Sequence, residues 1–266
     1  MVSPRPIERE QSLGTTQIDG FIRDGYIKIE NAFPAKLGEA VRDVLWRDLG
    51  LDRGDPSTWQ QPVVRLGMYD APPFVEAAKT PRLTAAYDDL VGEDRWLAPR
   101  VMGTFPIRFP STKPPRDDGW HVDMSFDWHK PDFMDWRINL ASRGRALLML
   151  FLFSDVGESD APTRIRRGSH RDVARMLVPA GDTGLTMREL VDLLPQTEPR
   201  EELHATGSAG TVYLCHPFLV HASQAHRGKQ PRFLAQPPLL PREDLRLDRA
   251  DGAYSPVEIA IRDALN

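Results

Sequence analysis

Along the first hundred residues, apolar positions recur at helical spacing; from about residue 96 they shift to short alternating or continuous runs. Thr16 followed by Asp19 predicts a capped short helix through Arg23, and Gly25-Tyr26-Ile27-Lys28-Ile29 a strand after it. Pro34 opens a stronger helix with Leu37, Val41, Val44, Leu45 and Leu49 on one stripe and Gly50 past its end. Another helix fits 82–91, with Gly92 as its stop. Arg100 to Phe109 is strand-like, 111–119 is a polar Pro-rich loop, and 124–144 is a long irregular connection. Arg145 to Ser154 is apolar almost throughout and predicts a strand buried on both faces. A turn at Glu158-Ser159-Asp160 leads to a strand at 161–166, then helical segments at 171–177 and 186–194, the second with Thr186 and Glu189 as a capping box. Strands at 210–215, 218–224 and 231–236 follow, and a final helix fits 256–265.

Helices first and about eight strands after them predict a mainly β fold with flanking helices, a double-stranded β-helix or jelly roll. The expected organisation is one domain over 1–266: a largely helical buttress to residue 95, a jelly-roll core over 96–240, and a tail. With 24 prolines gathered in connections, a helical bundle is disfavoured. The net charge of -4, and the lack of a basic stripe interleaved with aromatics, argue against a nucleic-acid partner. The N-terminus has no apolar leader core, and the longest apolar run, Ala146 to Phe153, is too short to span a bilayer. Cys215 is the single cysteine, so no disulfide joins two parts of this chain and a reducing interior fits. The expectation is a cytoplasmic protein without membrane contact.

His121-Val122-Asp123 follows the loop and enters an extended stretch, where alternate residues project to one side. With His221 it supplies two imidazoles and a carboxylate. That set can hold one face of an iron(II) ion and leave the other to a cosubstrate and O2. A second copy of the pattern, His170-Arg171-Asp172, competes with it. There Ser169 reads as a helix N-cap and Asp172 as a carboxylate at the positive helix end, which explains both without a metal. Arg232 starts an apolar strand, and a buried arginine needs an anion. A guanidinium matches the distal carboxylate of 2-oxoglutarate through two parallel hydrogen bonds, and Ser223, two residues past His221, shares that strand face and can donate to it. His216 reads as a residue that can flank the pocket, Cys215 as a small apolar filler, and the remaining histidines as ordinary surface or core residues. Trp128, Phe133 and Trp136 supply apolar area beside the metal, or simple packing. Arg164 and Arg166 are solvated arginines or contacts for an anionic substrate.

Taken in order, these segments resemble the phytanoyl-CoA dioxygenase-like branch of the Fe(II)/2-oxoglutarate oxygenases, over most of the chain. Phe21-Ile22-Arg23-Asp24-Gly25-Tyr26-Ile27 is similar to the family's opening helix and strand. His121-x-Asp123 is similar to its metal pair, Asp160 to His170 to its Asn-Gly…Pro-Gly-Ser-His segment, and His221-x-Ser223 with Arg232 to its distal ligand and cosubstrate clamp. Arg167 stands for the family's usual proline and Ala161 for its usual glycine. Leu150 stands where the family often has an aromatic residue near the cosubstrate. The resemblance implies a dioxygenase using Fe(II), 2-oxoglutarate and O2, which oxidises, most simply by hydroxylation, a small molecule such as a natural-product intermediate or an acyl thioester. It adds Thr104, Leu150 and Thr163 as cosubstrate-lining positions. The rival reading is a cupin-like protein, a metal-dependent isomerase or a small-molecule binder on the same barrel.

Overall fold

The computed structural model describes residues 13–266; the N-terminal stretch read as lacking a leader core lies outside them, apart from its last two residues. Among the described residues the helices are α1 (Thr15–Asp24), α2 (Ala35–Leu49), α3 (Pro72–Ala77), α4 (Pro81–Val91), α5 (Ser169–Leu177), α6 (Met187–Leu193) and α7 (Pro256–Leu265). The strands are β1 (Tyr26–Ile29), β2 (Val63–Leu66), β3 (Phe105–Arg108), β4 (Arg137–Ile138), β5 (Leu147–Leu152), β6 (Thr163–Arg166), β7 (Leu185–Thr186), β8 (Glu202–Ala205), β9 (Val212–Cys215), β10 (His221–Ala222), β11 (Leu234–Ala235) and β12 (Pro238–Leu239).

Two antiparallel sheets face each other. The larger runs β1-β9-β5-β11, with β12 continuing along β5, and β3 joins through an Arg108–Arg232 bridge. The smaller runs β10-β6-β8, extended by a His121–His221 bridge. Between them lies an apolar interior of Leu148, Leu150 and Leu152 from β5, Tyr213 and Cys215 from β9, Leu234 from β11, Ile165 from β6 and Ala205 from β8. The alternate β5 residues, Leu147, Met149 and Phe151, join a second cluster with Phe21 of α1, Val41 and Leu45 of α2 and Leu83 of α4. This is why β5 carries no polar residue: each of its faces meets a core. Fully burying a large apolar side chain contributes roughly 1.5–3 kcal/mol, so β5 anchors both layers. The mainly β architecture with flanking helices agrees with the expectation from sequence.

Several local expectations change. Gly14, not Thr16, begins α1, with its N–H donating to Gln17 Oε1 at 3.1 Å. Gly25 closes that helix at φ 83° instead of opening the strand, and a Cβ there would overlap the His170 imidazole. The strand read over Arg100–Phe109 shrinks to β3, with Met102 keeping only an isolated bridge to Tyr69 ahead of it. Gly168 caps α5 at φ 76°; Ser169 lies inside the helix, where its Oγ accepts from Val220 N at 2.9 Å. The strand β8, Glu202-Leu203-His204-Ala205, is absent from the sequence reading. The capping boxes at Thr186–Glu189 and Ser255–Glu258 hold α6 and α7. No helix among the described residues is long and apolar enough to cross a membrane.

Candidate metal and cosubstrate site

His121 and His221 form an antiparallel bridge, each N–H donating to the other's carbonyl at 2.9 Å, so their side chains leave the backbone on the same side. Their ring centroids are 4.3 Å apart. Asp123, two residues along the extended chain, joins them: its Oδ1 lies 3.8 Å from His121 Nε2 and 3.7 Å from His221 Nε2. One ligand atom from each residue falls within 4.8 Å of the others. Both imidazoles are oriented from behind. His121 Nδ1 meets Gly119 O at 2.9 Å and His221 Nδ1 meets Leu219 O at 3.0 Å. A carbonyl accepts only from N–H, so the proton sits on Nδ1 and the Nε2 lone pair faces the carboxylate. His221 Nε2 is buried without a hydrogen-bond partner among the described residues. Burial first, and His121 next, push the His221 pKa down to about 4, which keeps its imidazole neutral near pH 7. Burial alone would raise Asp123; the adjoining Arg145, then His221 and His121, hold it below the usual carboxylate range. Two imidazole Nε2 atoms and one carboxylate oxygen within ligand distance of one another are a donor set suited to a divalent transition metal.

The other end of the interior carries positive charge. Arg232 and Arg108 face each other across the β3–β11 bridge, and each is 2% exposed. The Arg232 guanidinium donates to Ala161 O and to Pro106 O, the latter at 3.2 Å, and its Nε has no partner among the described residues. Burial, then Arg108, drive the Arg232 pKa well below its ordinary value, with Asp117 pulling the other way. Arg108 donates through Nη2 to both Asp117 carboxylate oxygens at 2.8 Å, while its Nε and Nη1 have no hydrogen-bond partner among the described residues. Asp117 also pairs with Arg65. Ser223 Oγ donates to Asp117 O at 2.7 Å and to Asp117 Oδ1 at 3.2 Å, so in this arrangement its hydroxyl serves the 111–119 loop. Thr163 is buried and shares a strand face with Ile165, the partner of His221. Leu150 belongs to the interior cluster. Thr104 is exposed at the opposite end of β3 from Arg108, and its carbonyl accepts from Gln236 N at 3.0 Å.

Other candidate residues lie elsewhere. His170 donates through Nε2 to Ile22 O at 3.0 Å and packs against His216 with ring centroids 4.9 Å apart. His216 is fully buried against Phe21 and Phe218 and reaches Val257 O, so it braces α1 and α7 and does not flank the pocket. Arg164 and Arg166 stack on the Trp120 ring at 4.6 and 4.2 Å. Their nitrogens bond Ser223 O and Asp118 O, and Leu194 O and Thr197 Oγ1. They lock the segment before His121 in place. Trp128 and Phe133 are exposed in the 124–144 connection, and Trp136 bonds Lys130 O through Nε1. Sequence reasoning missed Arg108, Asp117 and Arg145. The available signal was a lone arginine inside Phe105-Pro106-Ile107-Arg108-Phe109 and another at the head of the apolar β5 run.

The family model for phytanoyl-CoA dioxygenase matches residues 21–234. No curated protein sequence matches. Among solved structures, EctD from S. alaskensis with 2-oxoglutarate and 5-hydroxyectoine is similar at TM-score 0.55 and 23% identity, over 88% of this chain and 77% of that one. HygX from Streptomyces hygroscopicus with nickel and 2-oxoglutarate is similar at TM-score 0.57 and 20% identity, over 92% and 96%. The 2-oxoglutarate-dependent carbocyclase SnoK from nogalamycin biosynthesis is similar at TM-score 0.55 and 16% identity, over 90% and 89%. At these identities the likeness to the three is one of fold.

Proposed function

The chain belongs to the phytanoyl-CoA dioxygenase family of Fe(II)/2-oxoglutarate-dependent oxygenases, and from that premise we propose that it hydroxylates a small-molecule substrate at a site built on His121, Asp123 and His221. The observation that carries this reading is the meeting of two lone-pair-bearing Nε2 atoms and Asp123 Oδ1, with each Nδ1 already satisfied by a carbonyl. Bound there, iron(II) supplies O2-dependent oxidation coupled to conversion of 2-oxoglutarate to succinate and CO2.

The chain's own residues do the positioning. His121 and His221 enter the site in one tautomer, each Nδ1 held by a backbone carbonyl, and His221, with its pKa pushed down by burial, needs no proton loss to bind a cation near neutral pH. Arg232 receives the distal carboxylate of 2-oxoglutarate: it is a buried guanidinium with an unpartnered Nε, at the end of the interior that Leu150 and Thr163 line. Arg108, its neighbour, adds a second positive charge. Ser223 joins that clamp when the cosubstrate's carboxylate replaces Asp117 as the partner of its hydroxyl. Thr104, exposed at the far end of β3, serves the substrate side of the mouth in this reading. The leucine-lined interior excludes water from the reacting groups. A natural-product intermediate suits this scaffold, since the named neighbours include proteins described with 5-hydroxyectoine and from nogalamycin biosynthesis.

The test is succinate release. Purified protein supplied with Fe(II), 2-oxoglutarate and air should form succinate, at a rate raised by substrate, and His221→Ala should form none. Metal-dependent turnover of a substrate without consumption of 2-oxoglutarate would instead favour the isomerase reading.

A further inference from the structure

We infer that Arg145 is a positioning residue for Asp123, holding one carboxylate oxygen so that the other alone is offered to the metal; the inference rests on the reading of His121, Asp123 and His221 as the iron site. The two oxygens of Asp123 have different neighbours. Oδ1 is the atom that faces both imidazole Nε2 atoms, at 3.8 and 3.7 Å. Oδ2 faces Arg145 Nη1 at 3.2 Å. Arg145 is 8% exposed, and its Nε and Nη1 have no hydrogen-bond partner among the described residues. A guanidinium held in the interior with unsatisfied N–H groups is costly unless an anion balances it, and Asp123 is the acid within ion-pairing distance.

The backbone keeps Arg145 there. It stands just past a tight turn in which Arg145 N donates to Ser142 O at 3.1 Å and Ser142 Oγ donates to Arg145 O at 2.7 Å. Gly144 takes φ 76°, and a Cβ at that position would meet Ser125 O at 2.7 Å. The turn delivers the arginine at the head of β5, directly after the 124–144 connection that leaves Asp123.

The consequence is a division of labour within one carboxylate. A free carboxylate can chelate a cation through both oxygens and so take an additional coordination position. With Oδ2 held in an ion pair with Arg145, Asp123 would offer Oδ1 alone to a bound metal and would leave room beside it for the cosubstrate. A fixed positive charge beside a divalent cation opposes metal binding. Arg145 is therefore placed to protect cosubstrate access, not to tighten the metal.

That sign makes the test specific. In the full chain, Arg145→Met and Arg145→Lys are compared with the wild type in three measurements: Mn(II) affinity, 2-oxoglutarate affinity of the Mn(II)-loaded protein, and melting temperature. Arg145→Met should bind Mn(II) as well as the wild type or better, and 2-oxoglutarate roughly tenfold or more weakly. Arg145→Lys should recover part of the cosubstrate affinity, and should fold even where the methionine variant does not. Weaker Mn(II) binding in these variants, or 2-oxoglutarate affinity indistinguishable from wild type, would overturn the assignment. Failure of the wild type itself to bind Mn(II) would instead bring down the iron-site reading beneath it.

Discussion

His121-Val122-Asp123 and His170-Arg171-Asp172 carry the same pattern into two different surroundings. The first lies on extended backbone, so its histidine and aspartate point the same way and meet His221. The second starts α5, where helical rotation sends the two side chains apart. His170 turns inward to Ile22 O and the His216 ring, and Asp172 turns outward to a two-pronged pair with Arg200 at 2.7 Å on both prongs. One imidazole presents a lone pair to a carboxylate; the other is wedged against Gly25 as a packing element. A short motif thus acquires chemistry from backbone conformation and from what stands behind each nitrogen.

The sharpest way to break this comparison is to remove each histidine in turn. His121→Ala, Asp123→Ala and His221→Ala should each abolish Mn(II) binding, read by calorimetry or EPR, while His170→Ala keeps it. The reverse result would exchange the roles of the two segments. Next in size is Arg232→Ala, which should weaken 2-oxoglutarate binding on the order of 100-fold without moving Mn(II) affinity, since it removes one partner of a buried charge pair. Unchanged cosubstrate affinity would remove Arg232 from the site.

The third effect belongs to stability. His170→Ala should cost about 2–4 kcal/mol in denaturant unfolding, from the cavity beside Gly25 and the lost partner of Ile22 O. A loss within error of zero would contradict its packing role. Acid sharpens the same point. Burial pushes the His170 pKa down to about 4 from an ordinary 6.5. Above pH 6.5 the residue is neutral in both folded and unfolded chains and its contribution is complete. As pH falls from 6.5 towards 4 the unfolded chain takes up the proton first, and the fold loses up to about 3 kcal/mol. His216, displaced in the same direction by burial, adds to the loss. Unfolding midpoints measured between pH 7 and 4.5 should fall less steeply in His170→Gln than in wild type.

Much of this is legible in the amino-acid sequence. The apolar run at 145–154 announced a strand with two buried faces, and the stripe from Leu37 to Leu49 with Gly50 behind it announced α2. Convergence of His121, Asp123 and His221 followed from extended spacing plus a distant strand. What escaped has physical reasons. β8 is half polar because one face meets solvent, where Glu202 pairs with Arg164 of β6 and lies beside His204 on its own strand, so no apolar run marks it. The α5 cap depends on a left-handed glycine, which frees Ser169 for a tertiary bond that no local rule foresees. The ring of charge around the interior was hidden most deeply. Arg108, Asp117 and Arg145 are ordinary in their own segments, and become functional candidates only when sheet pairing and a turn bring them beside Arg232, Ser223 and Asp123.

The central claim, that His121, Asp123 and His221 together seat an iron that also receives 2-oxoglutarate, is tested most directly by anaerobic titration of the protein with Fe(II) and 2-oxoglutarate, following the weak visible charge-transfer band of the chelate. The account predicts the band in wild type and His170→Ala and its loss in His121→Ala; a band that survives in His121→Ala, or is missing from wild type, would contradict it.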